Sequence, residues 1–202
     1  MTNVALLGNP NVGKTTLYNG LTGSNQYVGN WPGVTVDKKE GFFEDIKIVD
    51  LPGIYAMDTF SNEEKVSKKF LEEGNVDVIL NIVDASNLNR NLYLTTQLKK
   101  FDKPIILALN MIDICDSKGI VIDYEKLKKE LNVEVIPIIA GKNIGIDKIK
   151  DRLKEGNFKK DNEIKKYDFK SEKEAYEFIE KILNKCVTKN LKNEETFTEK
   201  LD

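Results

Sequence analysis

The sequence contains no histidine among its 202 residues. That absence excludes any mechanism in which a protein imidazole acts as the general base. The sequence also has no apolar run that approaches the ~20 residues a helix needs to span a bilayer. Because a strand is predicted to begin almost at Met1, we expect no signal peptide before it.

An excess of charge of one sign is also missing, and cysteine is scarce. The 31 basic and 33 acidic residues give a formal net charge of -2. Because the chain has no overall excess of basic residues, we expect no nucleic-acid partner. The two cysteines, Cys115 and Cys186, lie far apart and lack the spacing of metal ligands. They are predicted to be buried or neutral thiols in a reducing compartment.

A phosphate-binding motif stands near the start of the chain. Residues 8–15 read GNPNVGKT, which fits the pattern G-x-x-x-x-G-K-[ST] between an apolar strand and the start of a helix. In such a loop, unpaired N–H groups and the positive end of the helix dipole converge on the phosphates. Lys14 is expected to reach the β- and γ-phosphates, and the Thr15 hydroxyl to ligate Mg²⁺. The predicted phosphate-binding residues are Gly8, Asn9, Pro10, Asn11, Val12, Gly13, Lys14, Thr15 and Thr16.

The chain after this motif alternates strands with helices. Such alternation predicts an α/β fold, a P-loop NTPase with a mostly parallel sheet and helices on both faces. Ligands of such sheets bind beyond the carboxyl ends of the strands, where the motif loops fall. A long loop is predicted over residues 22–36, and further strands over residues 38–43, 46–49, 76–83, 104–109 and 134–139.

Two domains of unequal size are predicted. Residues 1–156 form the nucleotide-binding domain, and residues 157–202 form a linker and a short C-terminal helical appendage. Ser61 and Ser171 each begin a capping box, so each should start a helix. Apolar residues on one face of the second of these helices predict packing against the nucleotide domain or a partner.

A second motif, DLPG at residues 50–53, follows a predicted strand. The Asp50 carboxylate is expected to hold Mg²⁺ through water, and the Gly53 N–H to sense the γ-phosphate. Alone this motif is weak, but its distance behind the phosphate loop makes it informative. The segment that would respond to the γ-phosphate on this side consists of Asp50, Leu51, Pro52 and Gly53.

The motif NMID at residues 110–113 predicts a guanine site. A carboxylate at Asp113 can accept from the ring N–H and the amino group of guanine, a donor pair that adenine lacks. Met111 is expected to cover the face of the base, with modest affinity because it carries no charge. The Ala140 or Gly141 backbone N–H is expected to donate to the guanine oxygen. The predicted guanine-binding residues are Asn110, Met111, Asp113, Ala140 and Gly141.

Thr35, in the long loop, is the candidate switch threonine. It is expected to close on Mg²⁺ when the γ-phosphate is present, together with its neighbours Gly33 and Val34. Mg²⁺ would then be held by Thr15, Thr35 and Asp50. A surface threonine without function remains an alternative, because Val34 and Val36 are also compatible with a strand.

With these residues placed, the chain resembles a known family. The set GNPNVGKT, Thr35, DLPG and NMID is similar to a small GTPase domain of the TRAFAC class, which implies a Ras-like sheet. Residues 30–36 (NWPGVTV) and 50–55 (DLPGIY) resemble more particularly the N-terminal cytoplasmic domain of the ferrous iron transporter FeoB family. The resemblance runs from Met1 to about Leu153. Residues 176–187 resemble the end of the helical domain that follows in that family, although the segment between is shorter than expected.

The resemblance implies a regulatory role. It suggests a domain that binds GTP and hydrolyses it slowly at the cytoplasmic face of the cell membrane. Its partners would be GTP or GDP, the transmembrane permease part of the same full-length chain, and other copies in the membrane.

The resemblance also implies a catalytic device. Ras-like enzymes place a glutamine just after D-x-x-G, whereas this chain has Ile54, which has no hydrogen-bonding group. Backbone groups near Thr35 and Gly53 must then position the attacking water. The resemblance implies K⁺ as a further cofactor, held by Asn11 and by the carbonyls of Gly29 and Trp31. The residues expected to act in catalysis are Lys14, Thr35, Gly53 and Asn11.

Two other functions are compatible with parts of the sequence. A soluble ribosome- or tRNA-associated GTPase would share the same core, but it needs an RNA-binding module, and the chain has neither a basic patch nor an added domain. An ATP-using P-loop enzyme would share the phosphate loop, but Asp113 opposes it.

Overall fold

The computed structural model describes residues 1–58 and 60–190. The strands of its main sheet are β1 (Thr2–Gly8), β2 (Gln26–Asn30), β3 (Asp37–Phe43), β4 (Ile46–Asp50), β5 (Val78–Asp84), β6 (Ile105–Asn110) and β8 (Glu134–Pro137). They lie side by side in the order β2-β3-β4-β1-β5-β6-β8. β2 and β3 pair antiparallel, as do β3 and β4, and the other neighbours pair parallel. The predicted mostly parallel sheet is therefore confirmed.

Helices cover both faces of this sheet. The central strands carry near-continuous apolar runs, and residues that alternate along them pack into two separate clusters. The helices are α1 (Lys14–Thr22), α2 (Asn62–Glu73), α3 (Leu88–Leu98), α4 (Ile112–Ser117), α5 (Tyr124–Leu131), α6 (Ile146–Glu155) and α7 (Glu172–Cys186). Residues of α1 and α6 complete one cluster, and residues of α2, α3, α4, α5 and α7 complete the other.

Both predicted capping boxes start a helix. The Ser61 hydroxyl accepts from the Glu64 N–H at 3.1 Å and begins α2, and the Ser171 hydroxyl accepts from the Glu174 N–H at 3.2 Å and begins α7. Each serine satisfies one of the backbone donors that a helix leaves unpaired at its start.

The predicted long loop is in part a strand. Residues 22–36 were expected to be irregular throughout, but β2 occupies the middle of that range and pairs with β3 at the edge of the sheet. Tyr27 and Val28 on this strand are 67% and 68% exposed. An edge strand held by backbone hydrogen bonds needs no buried apolar face, so the sequence carries no periodic signal for it.

The C-terminal appendage packs against the nucleotide domain. Ala175, Ile179, Ile182 and Cys186 of α7 are buried, as the predicted apolar face requires, and the helix contacts α3 and α5. The Tyr176 ring stacks on Tyr93 of α3, with centroids 5.1 Å apart. After α7, β9 (Val187–Lys189) pairs antiparallel with β7 (Ile120–Ile122). The rest of the predicted appendage, after residue 190, lies outside the described residues.

The predicted linker is also packed. Lys99, at the end of α3, is 3% exposed and lies 2.6 Å from the Asp161 carboxylate. It also donates to the Leu131 carbonyl at 2.8 Å, and the hydroxyl of the fully buried Tyr167 donates to the same carbonyl at 3.1 Å. Although burial alone raises the pKa of Asp161, hydrogen bonds from Lys99, Glu163 and Asn132 hold it below its usual value. A buried ion pair thus fixes residues 157–170 to the domain.

Every helix in residues 1–58 and 60–190 is too short or too polar to cross a bilayer.

We predict that Asp161→Ala lowers the free energy of unfolding by about 3 kcal/mol, because it leaves the buried Lys99 ammonium without its carboxylate. Urea unfolding measures the change. Lys160→Ala is the control, because its pair with Asp102 spans 3.3 Å between side chains that are more than half exposed. This control should cost less than about 1 kcal/mol. Equal losses in the two variants would show that the buried pair does not hold this segment.

Candidate functional site

The phosphate loop joins β1 to α1, and glycine is required at both of its ends. A Cβ on Gly8 would lie 2.7 Å from the Ile82 carbonyl oxygen on β5. Gly13 has φ +93°, and a Cβ there would lie 2.3 Å from Asn110 Nδ2. The loop therefore fits closely between neighbouring strand ends, and α1 begins at Lys14 with its N–H groups directed to the loop.

A cavity of about 620 Å³ opens over this loop. Gly53, from the DLPG motif, and Met111, from the NMID motif, reach it from two other strand ends. The structure thus brings three predicted motifs to one edge of the sheet, beyond the carboxyl ends of β1, β4 and β6. The lining residues are Asn9, Pro10, Asn11, Gly13, Lys14, Thr15, Thr16, Gly53 and Met111.

Asn110 connects the loops around the cavity. Its Nδ2 donates to the Val12 carbonyl at 2.8 Å, and its Oδ1 accepts from the Ala140 N–H at 2.9 Å. The residue is 3% exposed. The assignment of Asn110 and Ala140 to the guanine site stays a prediction. In the structure the two residues bind each other, and Asn110 also binds the phosphate loop. The next residue, Met111, has φ 64° and turns the chain into α4.

Asp113 lies in the first turn of this helix, and its carboxylate is partly exposed. Its side chain is 36% exposed, and the Lys142 ammonium lies 3.4 Å away. Lys142 follows Ala140 and Gly141 in the loop after β8, so the carboxylate and the lysine approach from different strands. Sequence reasoning did not identify this contact, because it joins residues that are far apart in the chain. A Cβ on Gly141 would meet nothing within 4 Å, so the space beside its backbone is open.

Lys14 and Asp50 are in direct contact across the phosphate loop. Their side chains are only 13% and 5% exposed, so each charge has lost most of its water and is compensated by the other. The DLPG segment is held there by backbone bonds, since Leu51 N donates to Leu6 O and Ile54 N to Gly8 O, both at 3.1 Å. Burial and the Asp50 charge raise the pKa of the nearby Tyr18 to about 12.

The proposed magnesium ligands have suitable chemistry, because hydroxyl and carboxylate oxygens are the donors that Mg²⁺ prefers. Thr15 lines the cavity. Asp50 contacts Lys14 but is not among the lining residues, and Thr35 is exposed in a bend and does not line the cavity either. Among the described residues, no three His, Cys, Asp or Glu side chains are placed to hold a metal ion together. A metal here would depend on phosphate oxygens for several ligands, as Mg²⁺ does in nucleotide sites.

The proposed potassium ligands are not brought together in this arrangement. The Asn11 side chain is exposed at the cavity, with φ 64°, while Gly29 lies on the edge strand β2. Trp31 packs against Phe70 of α2, and its carbonyl accepts from the Val34 N–H at 3.3 Å. Neither Gly29 nor Trp31 lines the cavity.

A family model and the curated relatives of this chain indicate the same family. A family model described as Ferrous iron transport protein B matches residues 2–153. The Fe(2+) transporter FeoB of Legionella pneumophila (strain Paris) is 43% identical over 201 residues, which cover 96% of this chain and 26% of that protein. The chain therefore spans about a quarter of the length of this curated relative.

Solved structures show the same architecture. The cytosolic domain of L. pneumophila FeoB matches with a TM-score of 0.82 and 34% identity, covering 93% of this chain and 100% of that one. An S. thermophilus NFeoB N11A mutant bound to mGDP matches with a TM-score of 0.75 and 50% identity, covering 77% of this chain and 61% of that one. Because the family model spans most of the sequence and the fold agrees, this chain belongs to the ferrous iron transport protein B family.

Proposed function

We propose that this chain is the GTP-binding, slowly hydrolysing switch domain of a ferrous iron membrane transporter. The observation that carries the proposal is the pair of hydrogen bonds from Asn110, which joins the phosphate loop to the Ala140 loop. Such a bridge sets the distance between a phosphate site and a base site. The mGDP bound to the related S. thermophilus protein supports a guanine nucleotide as the ligand.

The phosphates would lie over the N-terminus of α1. There the loop N–H groups and the helix dipole offer positive charge, and the Lys14 ammonium adds a full unit. Lys14 contacts Asp50, so phosphate binding would exchange that contact for one with phosphate oxygens. Asp50, released from Lys14, would then hold Mg²⁺ together with the Thr15 hydroxyl, and with Thr35 in the triphosphate state. The ion would supply positive charge between the β- and γ-phosphates.

The base would lie between Met111 and the Ala140 loop. Asp113 would accept from the two guanine donors, which requires its carboxylate to turn from Lys142 toward the base. The Ala140 N–H already donates to Asn110. We therefore propose that the Gly141 N–H donates to the guanine oxygen. The open space beside Gly141 is consistent with this assignment.

Hydrolysis would depend on backbone groups. Ile54 is 4% exposed and packs in the apolar core, so it cannot orient a water molecule. Gly53 at the cavity and Thr35, once moved there, would position the attacking water, and Lys14 would stabilise the phosphate charge. A potassium ion held by Asn11 would add positive charge beside the β–γ bridge. Its other proposed ligands are the carbonyls of Gly29 and Trp31, and these come close to Asn11 only if residues 29–31 move.

The place of the domain in a longer protein follows the same proposal. Residues 1–156 would bind the nucleotide, and residues 157–202 would lead toward a permease in the membrane. The nucleotide domain would then face the cytoplasm, with the transporter as its partner and with association between copies in the membrane. The close packing of α7 on α3 and α5 would let that segment respond to changes in the nucleotide domain.

Base selectivity is the first test. Purified protein should bind GDP and GTP more than about tenfold more tightly than ADP and ATP, because adenine leaves the Asp113 carboxylate unpaired. Asp113→Asn should weaken guanine binding and improve relative binding of xanthine nucleotides, since it replaces an acceptor with a donor. Asp116→Asn, on the exposed side of the same helix, is the matched control and should change neither. Calorimetric titration measures the affinities, and equal competition by ATP would refute the guanine assignment.

Thr35 provides the second test. Thr35→Ala should lower the GTP turnover number about tenfold or more while leaving GDP affinity within about twofold, because its contact is proposed only for the triphosphate state. Thr188→Ala, which removes an exposed threonine on β9, is the control and should change neither value. Turnover is measured by phosphate release, and a parallel loss of GDP affinity would show that Thr35 acts by binding the diphosphate.

Salt dependence is the third test. At constant ionic strength, GTP turnover should be faster in KCl than in NaCl, because neutral carbonyl and amide ligands favour the larger ion. Asn11→Ala should lose this difference and still bind nucleotide. Asn19→Ala, an exposed position on α1, should keep it. Equal rates in the two salts for the unmodified protein would exclude the potassium mechanism.

A further inference from the structure

Trp31 is the single tryptophan of the chain, and it joins residues 31–36, the proposed switch segment, to α2. Its ring meets Phe70 edge-on, with centroids 5.5 Å apart and planes at 66°. The Lys38 ammonium lies 4.8 Å from the centre of the same ring. Trp31 thereby packs against the core cluster to which α2 contributes Leu71. The indole is thus the side chain by which this segment is attached to a helix.

The backbone makes residues 31–36 a closed turn. Trp31 N donates to Val36 O at 2.9 Å, and Val34 N donates to Trp31 O at 3.3 Å. Val36, at the other end of the turn, is 8% exposed and belongs to the core, whereas Thr35 is exposed. Since both ends are anchored, Thr35 cannot travel to the cavity unless the turn opens or Trp31 leaves Phe70.

The contacts of the Trp31 ring with Phe70 and Lys38 hold the turn in place, but one polar atom of the indole is buried without a partner. Among the residues that the structure describes, the buried Trp31 Nε1 has no hydrogen-bond partner. Burying a donor without an acceptor is unfavourable and offsets part of the gain from ring packing. The two ring contacts therefore leave a modest net preference for this arrangement.

We propose that the Trp31–Phe70 contact is a latch that holds the switch segment away from the nucleotide and so sets the preference between diphosphate and triphosphate. This proposal rests on the proposed function, because it requires Thr35 to reach the cavity in the triphosphate state. In this proposal Thr35 reaches a triphosphate by release of Trp31 from Phe70 and not by opening of the turn alone, so a diphosphate binds with the latch closed and a triphosphate binds with it open. Weakening the latch therefore strengthens triphosphate binding alone.

The decisive variant is Phe70→Ala. Its affinities for GDP and for GMPPNP, a non-hydrolysable GTP analogue, are measured by calorimetric titration in the presence of Mg²⁺. Removing one edge-to-face partner should tighten GMPPNP binding about three- to tenfold and leave GDP affinity within about twofold. Phe178→Ala is the matched control, because its ring meets Tyr167 edge-on at the same 5.5 Å, but it lies on α7 and its ring contacts are with Tyr167 and Phe169. The control should leave the ratio of the two affinities unchanged.

A second measurement keeps the test independent of folding. Trp31 is the only source of tryptophan emission, so the unmodified protein should change its emission spectrum with GMPPNP and Mg²⁺ and keep it with GDP. Phe70→Leu, which retains apolar volume, should shift the emission without nucleotide toward the GMPPNP-bound spectrum.

The outcomes separate the latch from the proposed function. If the unmodified protein binds neither GDP nor GMPPNP, the proposed function fails. If it binds both, but Phe70→Ala alters the two affinities equally or not at all, the latch is wrong. An emission spectrum that is identical with GDP and GMPPNP would also overturn it, since Trp31 would then keep its surroundings in both states.

Discussion

The two hydrogen bonds of Asn110 set the geometry on which the whole site depends. They tie the end of β6 to the phosphate loop on one side and to the Ala140 loop on the other. Gly13 must lack a Cβ because the Asn110 amide occupies that space. The parallel sheet brings these strand ends together, and the amide then fixes their spacing. A nucleotide that spans from Lys14 to Asp113 would meet a site already arranged for its length.

Charge compensation stabilises the two nearly buried charges of the site. Lys14 and Asp50 are nearly buried, and either one alone would be costly to desolvate. Their contact compensates both charges, and we propose that it is exchanged when phosphates and Mg²⁺ bind. The same exchange would involve the DLPG segment, which is hydrogen-bonded to β1, and Thr35, which the contact of Trp31 with Phe70 would keep from the cavity. In the proposed function, binding and switching would be parts of one rearrangement, and family membership favours this role over a ribosome-associated one.

Local signals allowed much of this structure to be predicted from the sequence. The glycines of the phosphate loop, the serine caps and the buried strands each carry a pattern within a few residues, so the sheet and the position of the motifs could be inferred. Features that depend on contacts between distant parts of the chain could not be predicted from the sequence. The strand β2 has no buried face, the Lys99–Asp161 pair joins segments far apart in the chain, and the contact of Asp113 with Lys142 forms only when two strands meet. The role of Asn110 as a bridge was hidden for the same reason.

We propose that Lys14, at the start of α1, is required for GTP hydrolysis by this chain. The direct test is phosphate release from GTP by purified protein with Mg²⁺, compared with Lys14→Ala and with Lys39→Ala as a surface control. The account predicts slow release that Lys14→Ala lowers about a hundredfold, because it removes a charge aimed at the transferring phosphate, while Lys39→Ala leaves it unchanged. Equal release by the unmodified protein and Lys14→Ala would contradict it.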